Sequence, residues 1–360
     1  MRKSIFTALA AGAVVLAGCA RIETTEVPEG RVISFDNFVP NVVKSEIAST
    51  SDLTKFWVFG KADNSGEKNV FSNDLVELVE SEWNTETAKY WQTGYTYKFG
   101  AYSNGNEQLT DGVSFDYADG HLSIEYSQTE DNQNETKDLV VGYNSTSLGS
   151  GYSGTDYADG TTADKVDFTF YHALAKIDFV FTKDATLNGV DLTIENISFP
   201  ACSAGTFESE YPNDDEQWKD VSWSTSTYQS DGSRTYSLTG GTVTGSTTEG
   251  GNINPVEQTF FLIPQWIFQA GGPDLKMTFS IKYDENKLYF EDESETNEMT
   301  KTYTVSLRNS NNYWKAGYHY IYTATISAEN LDLVPIEFYV TEVNGWTSPE
   351  NVDDNEIIKN

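Results

Sequence analysis

Apolar and polar residues alternate in many short segments of this chain, the period-two signature of β-strands with one face buried and the other wet. The clearest are Tyr95, Tyr97, Phe99 and Ala101; Leu122, Ile124 and Tyr126; and Ile177, Phe179 and Phe181. Further on come Tyr303, Val305 and Leu307, then Tyr318, Tyr320, Tyr322, Ala324 and Ile326, and last Ile336, Phe338 and Val340. Turn-rich stretches separate them. That predicts an all-β protein of antiparallel sandwiches, because βαβ units would need crossover helices. Only Asp74–Trp83 has helical spacing, with Leu75, Val76, Leu78 and Val79 as its apolar set and Asp74 and Glu77 placed like a capping box. A strand is the alternative for so short a run.

The stretch from Gly142 to Lys165 is rich in Gly, Ser and Thr and has few residues that could fill a core, so a domain boundary is placed inside it, at 160/161. A second polar stretch, Ser224 to Asn254, reads as a long surface excursion with a hairpin around Tyr236 and Leu238. The pentapeptide DYADG occurs twice, at Asp116–Gly120 and Asp156–Gly160. Asp-Gly is a turn signal, and the first copy sits between Val113/Phe115 and Leu122/Ile124 as a hairpin requires.

The N-terminus changes the picture. Arg2 and Lys3, an apolar run from Ile5 to Leu16, and Leu16-Ala17-Gly18-Cys19 read as an export signal ending at a lipoprotein signal peptidase site. The run is too short for a stable membrane span. Residues 1–18 are therefore expected to be removed and Cys19 to be lipidated, anchoring the chain to a membrane outside the cytoplasm. Loss of Arg2 and Lys3 takes the formal net charge from −32 to about −34, a chain that repels nucleic acid. Cys202 is then the one remaining thiol, so the fold rests on its core with no intrachain disulfide.

Catalytic chemistry finds little support. His121, His172 and His319 lie far apart within or beside strand patterns, no pair has metal-ligand spacing, and no nucleophile elbow, phosphate loop or dinucleotide fingerprint occurs. No enzyme activity, metal or cofactor is expected. Aromatic side chains could instead stack on sugar rings, with Trp218 and Trp223 as candidates against an ordinary core role.

Several segments in order resemble the fimbrillin (Mfa-like) family of Bacteroidales fimbrial lipoproteins. They are VISFDNF at Val32–Phe38, FWVFG at Phe56–Gly60, KYW at Lys89–Trp91, YKFGAYS at Tyr97–Ser103 and DLVVG at Asp138–Gly142. The C-terminal half adds FTFYHALAKIDFVF at Phe168–Phe181, FFLIPQ at Phe260–Gln265, WKAGYHYIYTATI at Trp314–Ile326 and VNGW at Val343–Trp346. The resemblance implies two transthyretin-like sandwiches in tandem, at 32–160 and 161–346, after a tether or propeptide at 19–31 and before an acidic tail at 347–360. DLVVG would close the first sandwich and the HALAKIDF strand would open the second.

It further implies a surface fimbrial subunit that serves cell adhesion. The resemblance implies that such precursors reach the outer membrane, that an Arg- or Lys-directed protease then trims the N-terminus, and that a strand from another subunit fills the groove by β-addition. Arg31 is the candidate cleavage site, although residues 20–30, with Ile22 and Val27 among few apolar side chains, make a poor plug. Displacement of Val32–Phe38 after cutting at Lys44 or Lys55, or an uncut membrane-proximal anchor, are the alternatives. The tail SPENVDDNEIIKN offers only Val352, Ile357 and Ile358 to fill pockets, which leaves open a tip adhesin or a surface lipoprotein that binds host or microbial glycans or proteins.

Overall fold

The computed structural model describes residues 31–38, 53–105, 107–128, 137–159, 165–208, 223–225, 233–243, 259–271, 274–289, 296–332, 334–344 and 358–359. The export signal, the Leu16-Ala17-Gly18-Cys19 site, Lys44, Trp218 and most of the acidic tail lie outside them.

The first sheet runs in the order β1 (Phe35–Phe38), β10 (Val166–His172), β8 (Val140–Tyr143), β5 (Thr96–Ser103), β2 (Lys55–Asp63), β3 (Glu67–Val79) and β4 (Glu82–Thr85), with β9 (Tyr152–Ser153) on β5. One face holds Phe35, Phe56, Phe71, Phe99 and Phe168 in a single apolar cluster. The other carries Trp57, Tyr102 and Val141 and is covered by a second sheet, ordered β14 (Trp223–Thr225), β13 (Ala204–Glu208), β7 (Leu122–Ser127) and β6 (Val113–Phe115).

The second sandwich has one sheet of β17 (Phe260–Leu262), β11 (Ala175–Lys183), β22 (Tyr318–Ile326), β23 (Tyr339–Asn344) and β24 (Ile358–Lys359). Its partner is β15 (Ser233–Leu238), β12 (Leu192–Cys202), β19 (Lys276–Asp284) and β20 (Glu298–Ser306), with β16 (Gly241–Val243) also on β12. Between them lies the largest apolar cluster, which includes Phe179, Phe181, Phe199, Phe279, Trp314 and Tyr322. A short ribbon of β18 (Gln265–Trp266) and β21 (Tyr313–Trp314) lies beside it. The described helices are single turns: α1 (Ser145–Leu148), α2 (Gly154–Ala158), α3 (Glu285–Tyr289) and α4 (Ala328–Asp332).

The all-β sandwich architecture matches the alternation in the sequence, with four corrections of detail. Two pairs run parallel, β1 on β10 and β11 on β22, although antiparallel pairing was expected throughout. The chain between β11 and β22 builds the facing sheet, so a whole sheet provides the crossover that a helix usually supplies. The helical option for Asp74–Trp83 gives way to β3, a turn and β4. Val76 packs into the first cluster while Leu75 packs on the opposite face, so both faces are covered and strict alternation is lost.

The remaining two corrections concern the boundary. HALAKIDF is divided: His172 ends β10 in the first sheet and Ala175 opens β11 in the second sandwich. The 160/161 boundary therefore falls before a strand that belongs with the first sheet. The first DYADG makes the expected β6–β7 hairpin, with Gly120 at φ 77 and so close to the Ser147 carbonyl that a Cβ would sit 2.3 Å from its oxygen. The second copy instead enters α2, where the Tyr157 ring lies 4.6 Å from that of Trp91.

Two histidine–aspartate pairs join the motif segments. His172 Nδ1 lies 2.9 Å from Asp138 Oδ2, both buried, and ties HALAKIDF to DLVVG. In the second sandwich His319 Nε2 lies 2.7 Å from Asp178 Oδ2, while the Thr259 hydroxyl donates to Asp178 Oδ1 at 2.7 Å. Burial alone would raise the Asp178 carboxyl, but the His319 hydrogen bond and charge, the Thr259 hydroxyl and Lys176 together hold it below the ordinary carboxylate value. A depressed folded-state pKa adds stability that is complete above the unfolded value and is lost as pH falls through the folded one. Asp178→Asn should thus lower stability at pH 7 by about 1–3 kcal/mol. Its deficit should shrink below about pH 4, measured by chemical denaturation across pH, and a deficit independent of pH would refute the linkage.

Candidate assembly groove

The N-terminal run enters the structure as an edge. The Trp91 amide donates to the Arg31 carbonyl at 2.9 Å, and the Ile33 amide to the Lys89 carbonyl at 2.8 Å, so the run is laid along the KYW segment before it reaches the sheet. There, among the described residues, β1 pairs with β10 alone, parallel, over four register positions from Phe35↔Val166 to Phe38↔Thr169. Alternation is strict here. Val32 and Asp36 are exposed, while Ile33 and Phe35 point inward at 2% and 1% exposure.

Phe35 fills a socket of four other phenylalanines. Its ring centroid lies 5.4 Å from Phe71, 6.0 Å from Phe56, 6.1 Å from Phe99 and 6.2 Å from Phe168, three of them edge-on and the last stacked. Gly60 on β2 makes room for this, since a Cβ there would lie 2.8 Å from Phe99 and 2.9 Å from Phe71. Full burial of one such ring stabilises by about 1.5–3 kcal/mol, yet among the described residues only one strand holds β1 by backbone bonds. Removing it would uncover both the socket and the polar edge of β10.

The cleavage candidates divide on geometry. Arg31 is exposed and precedes β1, so a cut after it leaves β1 attached to β2. Lys55 is the first residue of β2 and pairs with Glu77 at 2.8 Å. Lys44 is the one basic residue between Phe38 and Lys55.

The sugar-stacking candidates fare differently. Trp218 lies outside the described residues. Trp223 is 7% exposed, its ring packs against Phe207 and Tyr126, and its indole N–H donates to the Ala173 carbonyl at 2.8 Å. No face is left for a ligand, and the ordinary core role wins. Among the described residues the exposed tryptophan is Trp266, at 51%, edge-to-face with its cross-strand partner Tyr313 at 5.1 Å. Sequence reasoning missed it because the inward partner of that alternation is a glutamine: Gln265 is 1% exposed and accepts the Cys202 amide at 3.0 Å. Arg308 lies 3.6 Å over the Phe268 ring two residues further on.

Among the described residues no group of three His, Cys, Asp or Glu side chains could hold a metal ion, and no helix is long and apolar enough to cross a membrane.

The architecture is shared with a solved structure. A fimbrial protein from Bacteroides vulgatus aligns with TM-score 0.57 and 15% identity over 88% of this chain and 100% of its own. A fimbrilin from Porphyromonas gingivalis aligns with TM-score 0.40 and 11% identity over 88% of this chain and 97% of its own. No curated protein matches. The model of the fimbrillin-like family matches residues 44–346, most of the sequence from after β1 to beyond β23, and the chain therefore belongs to the fimbrillin-like family of fimbrial, cell-surface proteins.

Proposed function

We propose that the protein is a fimbrial subunit that serves adhesion and assembles when β1 is cut free and a strand of a neighbouring subunit takes its place. The observation that carries this is β1 itself, a strand with one neighbour among the described residues and a fully buried aromatic anchor. A vacated slot offers unpaired N–H and C=O groups beside an apolar socket, and an incoming strand satisfies both, so it leaves slowly. In this reading residues 1–18 are removed on export and Cys19 is lipidated, which carries the subunit to the outer membrane. Cutting at Arg31 then separates the body from its lipid, and cutting at Lys44 releases the plug.

Full-length protein trimmed to begin at Ser45 should form high-molecular-weight, denaturant-resistant polymers, whereas protein beginning at Val32 should stay monomeric. Lys44→Gln should block assembly in cells and Arg31→Gln should delay only release from the membrane, read by mass spectrometry of the mature N-terminus. Monomers of the Ser45 form at high concentration would defeat the strand-exchange reading. Cys19→Ser should abolish incorporation of labelled fatty acid, and unchanged labelling would rule out that anchor.

Trp266 supports a second reading, a tip or surface subunit that binds glycans. Indole presents an apolar face of the size of a pyranose ring, and here Tyr313 holds it outward. Affinity electrophoresis through neutral polysaccharides should retard the protein, and Trp266→Ala should run freely. Equal mobility of the two proteins in every gel would remove this reading.

A further inference from the structure

The first sandwich is not completed by its own half of the chain. Its second sheet takes β6 and β7 from before the connection at Ala173–Leu174 and β13 and β14 from after it. The β7–β13 ladder crosses between halves over five register pairs, from Ala204↔Ser127 to Glu208↔Ser123. The apolar cluster behind it mixes the halves in the same way: Ile124, Tyr126 and Leu139 meet Phe207, Trp223 and Phe261.

Gln128, just past β7, reinforces the crossing. Its amide donates to the Ser203 carbonyl at 2.8 Å and its Nε2 to the Phe261 carbonyl at 2.5 Å. Its carbonyl accepts from Arg234 Nη1 at 3.4 Å and its Oε1 from the Tyr236 hydroxyl. All four partners belong to the second half. The connection is itself pinned on both sides, with the Ala173 amide on the Leu139 carbonyl and the Gly317 amide on the Leu174 carbonyl, each at 2.8 Å.

Independent tandem domains meet through small, polar surfaces with few contacts crossing between them. Here a hydrogen-bonded ladder and a closed apolar core do the crossing. We propose that the β13–β14 hairpin is an internal clamp that fuses the two sandwiches into one cooperative unit. The first sandwich cannot lose structure without tearing the hairpin from β7, and the second cannot do so without uncovering the first sandwich's core. This inference is independent of strand exchange at β1.

Hydrogen exchange of the full chain in rising denaturant, read by mass spectrometry, tests it. Amides of β5 in the first sandwich and β22 in the second should open in one transition. Phe207→Ala should accelerate exchange in both by on the order of a hundredfold or more, and Gln128→Ala should act on both in the same direction with a smaller effect. The milder variant keeps the test valid if Phe207→Ala does not fold. In a Cys19→Ser background, where buried Cys202 is the one other thiol, Glu125→Cys combined with Thr206→Cys should, once oxidised, raise both midpoints together. Two separate transitions would overturn the clamp, as would variants or a cross-link that shift one sandwich and leave the other unmoved.

Discussion

A sheet that stops must do something with the backbone N–H and C=O groups on its last strand, because that unpaired row is a ready template for pairing with any other strand. Much of this architecture follows from how each edge is covered. At β10 the cover is β1, a four-residue strand of the same chain anchored by Phe35. At β7 it is β13, brought from the other half of the sequence. A cover held by backbone bonds and one inserted side chain is the kind of element that the proposed strand exchange would replace.

The same constraint explains why the two halves interlock. The first sheet buries side chains on both faces, with Phe56 and Val58 of β2 on one side and Trp57 and Phe59 on the other. Two strands, β6 and β7, are too little to close the second face, and the hairpin of β13 and β14 widens the cover to four. In the second sandwich β11 and β22 run parallel through eight register pairs, closed by the sheet built between them in sequence. Most of its pairings are thus distant along the chain, so the second sandwich depends on tertiary packing more than on local turns.

Glycine and histidine mark where the packing is tightest. Gly60 admits the phenylalanine socket beneath β1, and Gly120 admits the Ser147 carbonyl beneath the β6–β7 hairpin. The buried pair His172–Asp138 and the part-buried pair His319–Asp178 hold motif segments that are far apart in sequence. These histidines serve packing, and the segments that carried the family resemblance prove to be the ones that touch one another.

The sequence by itself determined the strand class, the inward residues of the alternating segments, the first DYADG hairpin and the family. Each depends on neighbours two to five residues apart, which a one-dimensional pattern records. Tertiary structure decided the rest. It made β3 a strand by burying both its faces, sent the second DYADG into a helical turn against Trp91, hid Trp223 and exposed Trp266. It placed β10 with the first sheet and carried the β13–β14 hairpin across the boundary. In each case the deciding partner lies tens of residues or more away in sequence, and local alternation says which residues seek a partner but not which partner they find.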